Sequence, residues 1–339
     1  MKILMVGPNA NSKGGIASVI ANFKAYYQGN SIEYLDSWQE KRRFITGIRA
    51  FFKIKRKVEK EQFDVVHFHV AQRGSFFRKA LLATRVRKQT KVLFHMHASQ
   101  FDTFYSDASP MIKKYIRKTL NQLDGLVVLS KEWSDFYENL TDTPITVIEN
   151  AVLVPAEINY NSQSTKIITF GRIGVRKGSY DILEIAKKIE VLFPEITFIL
   201  YGDGEVEKVR EKLKEQQIKN VQLGGWINKN EQEYLMKEAV LHFLPSYQEG
   251  LPMAILETMS YGIPNLSTNV GGIPQVLKDM KNGMVASPGD NEKMIEKLIY
   301  FLSNEDIRLN YSRASYETIL HTFSINPYFE KWSIYYDEL

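Results

Sequence analysis

The sequence predicts an α/β protein built as two doubly wound, Rossmann-like parallel sheets facing across a cleft. Three observations predict it. Short apolar runs alternate with amphipathic stretches along the 339 residues, the pattern of strand–helix units in a parallel sheet. The alternation restarts after a polar, turn-rich segment, residues 155–165 (PAEINYNSQST). Charge changes sign there too. Residues 1–155 hold 24 Lys and Arg against 14 Asp and Glu, a net of +10; residues 156–339 hold 20 against 25, a net of −5. The expected domains are 1–155 and 156–320, with a C-terminal helix over about 321–339 packing back on the first.

Bulk composition narrows the function classes. Apolar residues make up 44% of the chain and aromatics 12%, ample for packed cores and too much for a disordered chain. There is no cysteine, which excludes disulfides and thiolate metal sites and fits a reducing compartment. The opening MKILMVGPNA lacks a signal peptide's apolar core, and no apolar run approaches the ~20 residues of a membrane span. The expected location is cytoplasmic, with peripheral contact at the inner face of the membrane. The basic first half asks for an anionic partner: nucleic acid, membrane or a phosphorylated substrate.

In the first half, residues 2–7 read as a buried strand and 16–27 as a helix with Ile16, Val19, Ile20 and Phe23 on one face. Between them Gly14-Gly15 would let backbone approach a phosphate at the helix start. Residues 41–60 read as a helix with nine Lys or Arg against one Glu, and Phe44, Ile48, Phe51 and Phe52 near one face. Two readings stand for it: an interfacial helix on anionic lipid, or an apolar stripe packed on the sheet with solvated charges. Residues 63–70 and 91–97 are strands. His67 and His69 share a face by alternation and could hold a metal, but no third ligand lies close in sequence, so no metal is expected. His97 ends its strand, where ligands of open parallel sheets bind. The alternative is a hydrogen-bonded histidine closing the strand. Residues 125–129 and 145–148 complete the set.

The second half opens with a strand at 166–171. Arg172, Arg176 and Lys177 crowd the loop after it, and a helix over 181–193 follows. Strands at 196–201 and 221–223 precede Trp226. The centre of this half is EGLPMAILE, Glu249 to Glu257, between an apolar strand, 239–244, and a helix entered at Pro252. A helix start offers free N–H groups and a positive dipole end, a ready anion site. A carboxylate on either side suits a phosphate flanked by hydroxyl-rich groups, as in a sugar nucleotide. As a site carboxylate in a loop, Glu249 is expected to add little stability; the plainer alternative is a loop Glu and a solvated helix Glu.

With these residues in hand the sequence resembles the retaining glycosyltransferases of family 4, which have the two-lobed GT-B fold. The resemblance rests on Glu-x7-Glu at Glu249 and Glu257, and on G-R-x-x-x-x-K-G at Gly171, Arg172, Lys177 and Gly178. Gly14-Gly15, His97, Gly202-Asp203-Gly204, Gly271-Gly272-Ile273-Pro274, Asn282-Gly283 and Gly289-Asp290 follow in order. It covers nearly the whole chain. It implies that Arg172 and Lys177, with Gly171, grip a donor diphosphate, joined by the main chain of Gly15, Gly250, Leu251, Met253 and Ala254. It implies that Glu249 and His97 meet the donor sugar, Glu257 the ribose hydroxyls, and Trp226 the base. Two positions depart from the family pattern: Gln275 stands where Glu is usual, and Ala98 where Gly is usual after the histidine.

The expected function is retaining transfer from a nucleotide-diphospho-sugar, UDP-linked by preference, to a hydroxyl of a lipid-linked saccharide or other glycan in bacterial polysaccharide biosynthesis. No Asp-x-Asp metal motif leads into the loops, so no cofactor and no metal are expected. A catalytically silent partner would have lost Arg172, Lys177 or Glu249; none is lost. No nucleic-acid-binding module is recognisable.

Overall fold

A computed structural model describes residues 1–339, the side chain of Arg43 excepted. The chain forms two compact units, Met1–Asn150 with Ile325–Leu339, and Ala151–Ser324. The division lies between Asn150 and Ala151 rather than at 155/156. Val152 already belongs to the second unit, bridging Ser324 and donating its N–H to the Phe323 carbonyl at 3.0 Å.

The first unit carries six strands: β1 (Lys2–Pro8), β2 (Ser31–Trp38), β3 (Val65–Val70), β4 (Lys91–Met96), β5 (Gly125–Val128) and β6 (Ile145–Val147). They pair in parallel in the order β2-β1-β3-β4-β5-β6. β3 is buried along its whole length, as an apolar run flanked by helices on both faces requires. The order reverses beside β1, between β2 and β3, the kind of switch point where such sheets bind ligands. The sequence reading leaves β2 unassigned. It is an edge strand paired only with β1, and Glu33, Asp36 and Ser37 interrupt its apolar pattern, so alternation alone is weak there.

Helix Arg43–Glu61 lies against β2 and buries Ala50, Ile54 and Val58, leaving Phe51 half-buried. The outer face keeps Phe44 72%, Ile48 59% and Phe52 67% exposed. The packing reading therefore holds for the inner residues. One stripe packs on the sheet and a second apolar stripe remains outside. The last helix, Ile325–Glu338, buries Tyr328, Trp332 and Tyr336 within the first unit.

The second unit repeats the plan with β7 (Lys166–Phe170), β8 (Thr197–Tyr201), β9 (Val221–Gly225), β10 (Leu241–Leu244), β11 (Asn265–Thr268) and β12 (Met284–Ala286). Their parallel order is β12-β11-β10-β7-β8-β9, which puts a switch point between β7 and β10. No helix of the described residues is long and apolar enough to cross a membrane.

Candidate active site

The loops after β7 and β10 leave the sheet side by side, because their strands are neighbours. Tyr247 N–H donates to the Arg176 carbonyl at 2.8 Å, and the Arg176 guanidinium donates to the Gln248 carbonyl at 2.9 Å. Thr268 Oγ1 and Ser267 Oγ donate to the carbonyls of Ser246 and Leu244, each at 2.6 Å, and fix the same loop from β11. Gly178 sits at φ 69°, and a Cβ there would stand 2.1 Å from the Pro245 carbonyl oxygen. Gly271 sits at φ 57°, and its Cβ would stand 2.1 Å from the Glu249 carbonyl oxygen. Both positions need glycine for backbone angle and for close approach alike.

These ties bring the predicted charges together. Lys177 Nζ donates to Glu249 Oε1 at 2.5 Å, and Arg176 Nη1 stands 3.8 Å from Oε2. The side chains are 12% exposed for Lys177 and 6% for Glu249. Glu249 is thus a buried, ion-paired carboxylate, more firmly held than the low-stability loop residue expected from sequence. Removing one partner of such a pair leaves an uncompensated charge. Arg176, which carried no assigned role, is the residue the sequence reading passed over; its position between Arg172 and Lys177 was the available signal. Arg172 is exposed, with its stem beside Gly204.

Helix Met253–Ser260 begins just beyond Glu249. Pro252 is its N-cap, in extended conformation at φ −71°, ψ 121°, and so lies before the first turn and not in it. No side chain caps this end, and the amides of Met253 and Ala254 have no acceptor among the described residues. Glu257 is half-buried on the helix and accepts from Gln232 Nε2 at 2.8 Å. Burial raises its pKa, with the Gln232 bond acting in the opposite direction. Trp226 lies half exposed just past β9. Gly171 opens the loop at φ 146°, its N–H donating to the Tyr201 carbonyl.

Beneath the site, His242 is fully buried. Its Nδ1 faces Asn265 Oδ1 at 2.6 Å, and its Nε2 accepts the Phe170 N–H at 3.3 Å, which fixes the neutral Nδ1–H tautomer. Burial lowers its pKa to about 4.

Two predicted residues lie in the first unit. Gly15 opens helix Gly15–Tyr26 with Gly14 as N-cap. His97 follows β4, donates its N–H to the Val70 carbonyl at 2.8 Å, and shares a hydrogen bond between its Nε2 and His69 Nδ1 at 2.9 Å. Burial, with the Lys79 charge adding to it, lowers its pKa to about 3. Imidazole nitrogens of His67, His69 and His95 lie within 4.8 Å of one another. The third histidine, missing near His67 and His69 in sequence, comes from the neighbouring strand.

Two family profiles match adjoining segments of the chain. "Glycosyltransferase Family 4" matches residues 25–153 and "Glycosyl transferases group 1" residues 154–318. The chain belongs to glycosyltransferase family 4. As a member it is a nucleotide-sugar-dependent glycosyltransferase with the GT-B fold. Among its relatives is an uncharacterised 41.2 kDa protein of the cps region of Klebsiella pneumoniae, 26% identical over 319 residues, covering 84% of this chain and 86% of that one. Another is the UDP-Gal:alpha-D-GlcNAc-diphosphoundecaprenol alpha-1,3-galactosyltransferase of Escherichia coli, 26% identical, covering 75% and 70%. Solved structures of similar fold include a sucrose-phosphate synthase from Thermosynechococcus elongatus, with a TM-score of 0.82 at 14% identity over 99% of this chain and 98% of that one. The Anabaena protein HepE in complex with UDP gives 0.77 at 15% identity over the full length of both chains.

Proposed function

We propose that this family 4 glycosyltransferase moves the sugar of a UDP-sugar to a hydroxyl of a lipid-linked saccharide or other glycan in bacterial polysaccharide synthesis, with retention at the anomeric carbon. The observation that carries the reading is the Lys177–Glu249 pair at the uncapped start of helix Met253–Ser260, with Arg172 exposed in the same loop. HepE, of like fold, holds UDP, and the Escherichia coli relative uses UDP-Gal on a diphosphoundecaprenol acceptor; both support the choice of donor and acceptor class.

The leaving group is a diphosphate. Arg172 and Lys177 would neutralise it, the amides of Leu251, Met253 and Ala254 with Gly171 and Gly250 of the same two loops would cradle it, and the main chain of Gly15 would join them. Glu249, oriented by Lys177, would hold hydroxyls beside the reacting carbon. Glu257 would take the ribose and Trp226 the base. His97 would meet the sugar as a neutral imidazole. Positive side chains and a helix end take the place of a metal in this scheme, so no cofactor is required. The exposed stripe Phe44, Ile48 and Phe52, among Arg49, Lys53 and Arg56, would rest on anionic lipid at the cytoplasmic face.

A thermal-shift panel of UDP-, GDP-, ADP- and dTDP-sugars tests the donor, since bound ligand raises stability by mass action. UDP-sugars are expected to give the largest shift, and Arg172→Ala with Lys177→Ala to remove it. Turnover is expected to survive EDTA. A loss on chelation restored by manganese or magnesium would overturn the metal-free scheme.

A further inference from the structure

The first unit holds a second cluster of chemistry that glycosyl transfer does not use. His67 and His69 project from one face of β3, and His95 from the adjacent register position of β4, directly opposite His69. All three are fully buried. His67 Nδ1 meets Tyr336 Oη at 2.6 Å, and His69 Nδ1 meets His97 Nε2 at 2.9 Å. Their other nitrogens, Nε2 of His67 and Nε2 of His69, are buried and have no hydrogen-bond partner among the described residues; neither nitrogen of His95 has one. A buried imidazole nitrogen without a partner is costly, and here four lie together.

We infer that His67, His69 and His95 bind one transition-metal ion of the borderline class, Zn2+ first among them. A donor set of neutral imidazoles selects zinc, cobalt or nickel over the hard ions magnesium and manganese. The outer partners have the required arrangement. A ligating histidine donates its remaining N–H to an acceptor that fixes its tautomer, and Tyr336 Oη and His97 Nε2 stand where those N–H groups point. The His67 and His69 rings stack at 4.5 Å and 17°, with His95 tilted 5.3 and 5.1 Å from them. The site lies under helix Ile325–Glu338, whose Trp332 stacks on His67 at 4.8 Å and stands 5.0 Å from His95. An ion there would join β3, β4 and, through Tyr336, the last helix. His69, held as the Nδ1–H donor, would then present His97 with its own Nδ1–H outward.

The test uses the full chain, stripped with a strong chelator and titrated with Zn2+ and Co2+. Calorimetry is expected to give one ion per chain, and Co2+ the visible bands of a low-coordinate nitrogen site with quenching of tryptophan fluorescence. Trp332→Phe should remove most of the quenching. His95→Ala should abolish binding. Should that variant fail to fold, Tyr336→Phe keeps the ligands and should weaken binding about 10–100-fold. His321→Gln, an exposed residue on helix Glu305–Thr322 of the second unit, should change nothing. Absence of stoichiometric binding, or Co2+ bands that persist in His95→Ala or vanish in His321→Gln, would overturn the site. A bound ion in a chain with no transferase activity would leave this inference standing and remove the proposed function instead.

Discussion

In the second unit the buried imidazole, His242, is bonded at both nitrogens, and the loop above it is tied by Thr268, Ser267, Arg176 and Lys177. In the first unit three buried imidazoles leave nitrogens without partners. The outer charge differs as well. The first unit holds 25 Lys and Arg against 17 Asp and Glu, a net of +8; the second holds 19 against 22, a net of −3. Fully satisfied buried polar networks rigidify, and a buried polar group without a partner is costly. In the proposed scheme the tied loops of the second unit are the grip for one anion. The first unit is basic and holds the unsatisfied imidazoles on which the metal inference rests.

The sharpest way to break this comparison is to remove the grip. Arg172→Ala and Lys177→Ala are each expected to cost about 2–4 kcal/mol of transition-state binding, read from kcat/KM. Glu249→Gln should nearly abolish transfer. Glu249→Ala should also destabilise the fold by about 3 kcal/mol, since it strands Lys177 in a mostly buried position. His97→Ala in the first unit should cost less than any of these. Comparable losses in His97→Ala, or full turnover in the Arg172→Ala/Lys177→Ala double variant, would mean the second unit is not the grip.

Acid sets the two units apart next. Burial depresses the imidazoles of His67, His69, His95 and His97 in the first unit, the last to about 3, and of His242 in the second, to about 4. Unfolded imidazoles take protons near pH 6.5 that the folded ones refuse. Stability is therefore complete above about 6.5 and falls as pH drops toward the folded values, by up to about 1.4 kcal/mol per pH unit for each such group. With four groups against one, the first unit of chelator-treated protein should open first between pH 6 and 4, followed by hydrogen exchange. Earlier exchange in β7 and β10 would reverse the ranking.

How far the sequence carried these conclusions differs by element. The buried strands were legible because burial on both faces leaves continuous apolar runs, as in β3 and β10. β2 was not, because an edge strand tolerates Glu33 and Asp36. In the site, Gly-Arg-x-x-x-x-Lys-Gly spacing and Glu-x7-Glu located both loops. Their consequence, an ion pair across the two loops with Arg176 as a further partner, depends on β7 and β10 being neighbours, which no local pattern states. The histidine cluster was half legible for the same reason: alternation aligned His67 with His69, and only strand pairing added His95.

Glu257→Ala should act more weakly than Glu249→Ala. Its carboxylate is half-buried, bonded to Gln232, and set back along the helix. The expected result is a rise in donor KM of about tenfold with kcat little changed, as for loss of uniform binding worth about 1.4 kcal/mol. A fall in kcat matching that of Glu249→Ala would move Glu257 to the reacting centre.

The smallest effect per residue belongs to the basic face of the first unit. Helix Arg43–Glu61 exposes Phe44, Ile48 and Phe52, with Arg49, Lys53 and Arg56 exposed around them. Not all its charges are free for lipid. Lys57 is held by Glu33 and Glu61, and Lys55 pairs with Glu59 at 3.4 Å. The informative variant therefore replaces Arg49, Lys53 and Arg56 with Gln and leaves the paired lysines alone. Each Lys or Arg near an anionic surface is worth about 1 kcal/mol, less as salt rises. The triple variant should bind liposomes of graded anionic content about a hundredfold more weakly at low salt, and high salt should narrow the gap. Replacing Phe44 and Phe52 with Ser should weaken binding at both salt concentrations, because the apolar contribution is not screened. Liposome binding that ignores both sets of changes, or no binding at low salt, would make this face an ordinary solvated surface. The contrast between the units would then rest on their cores alone.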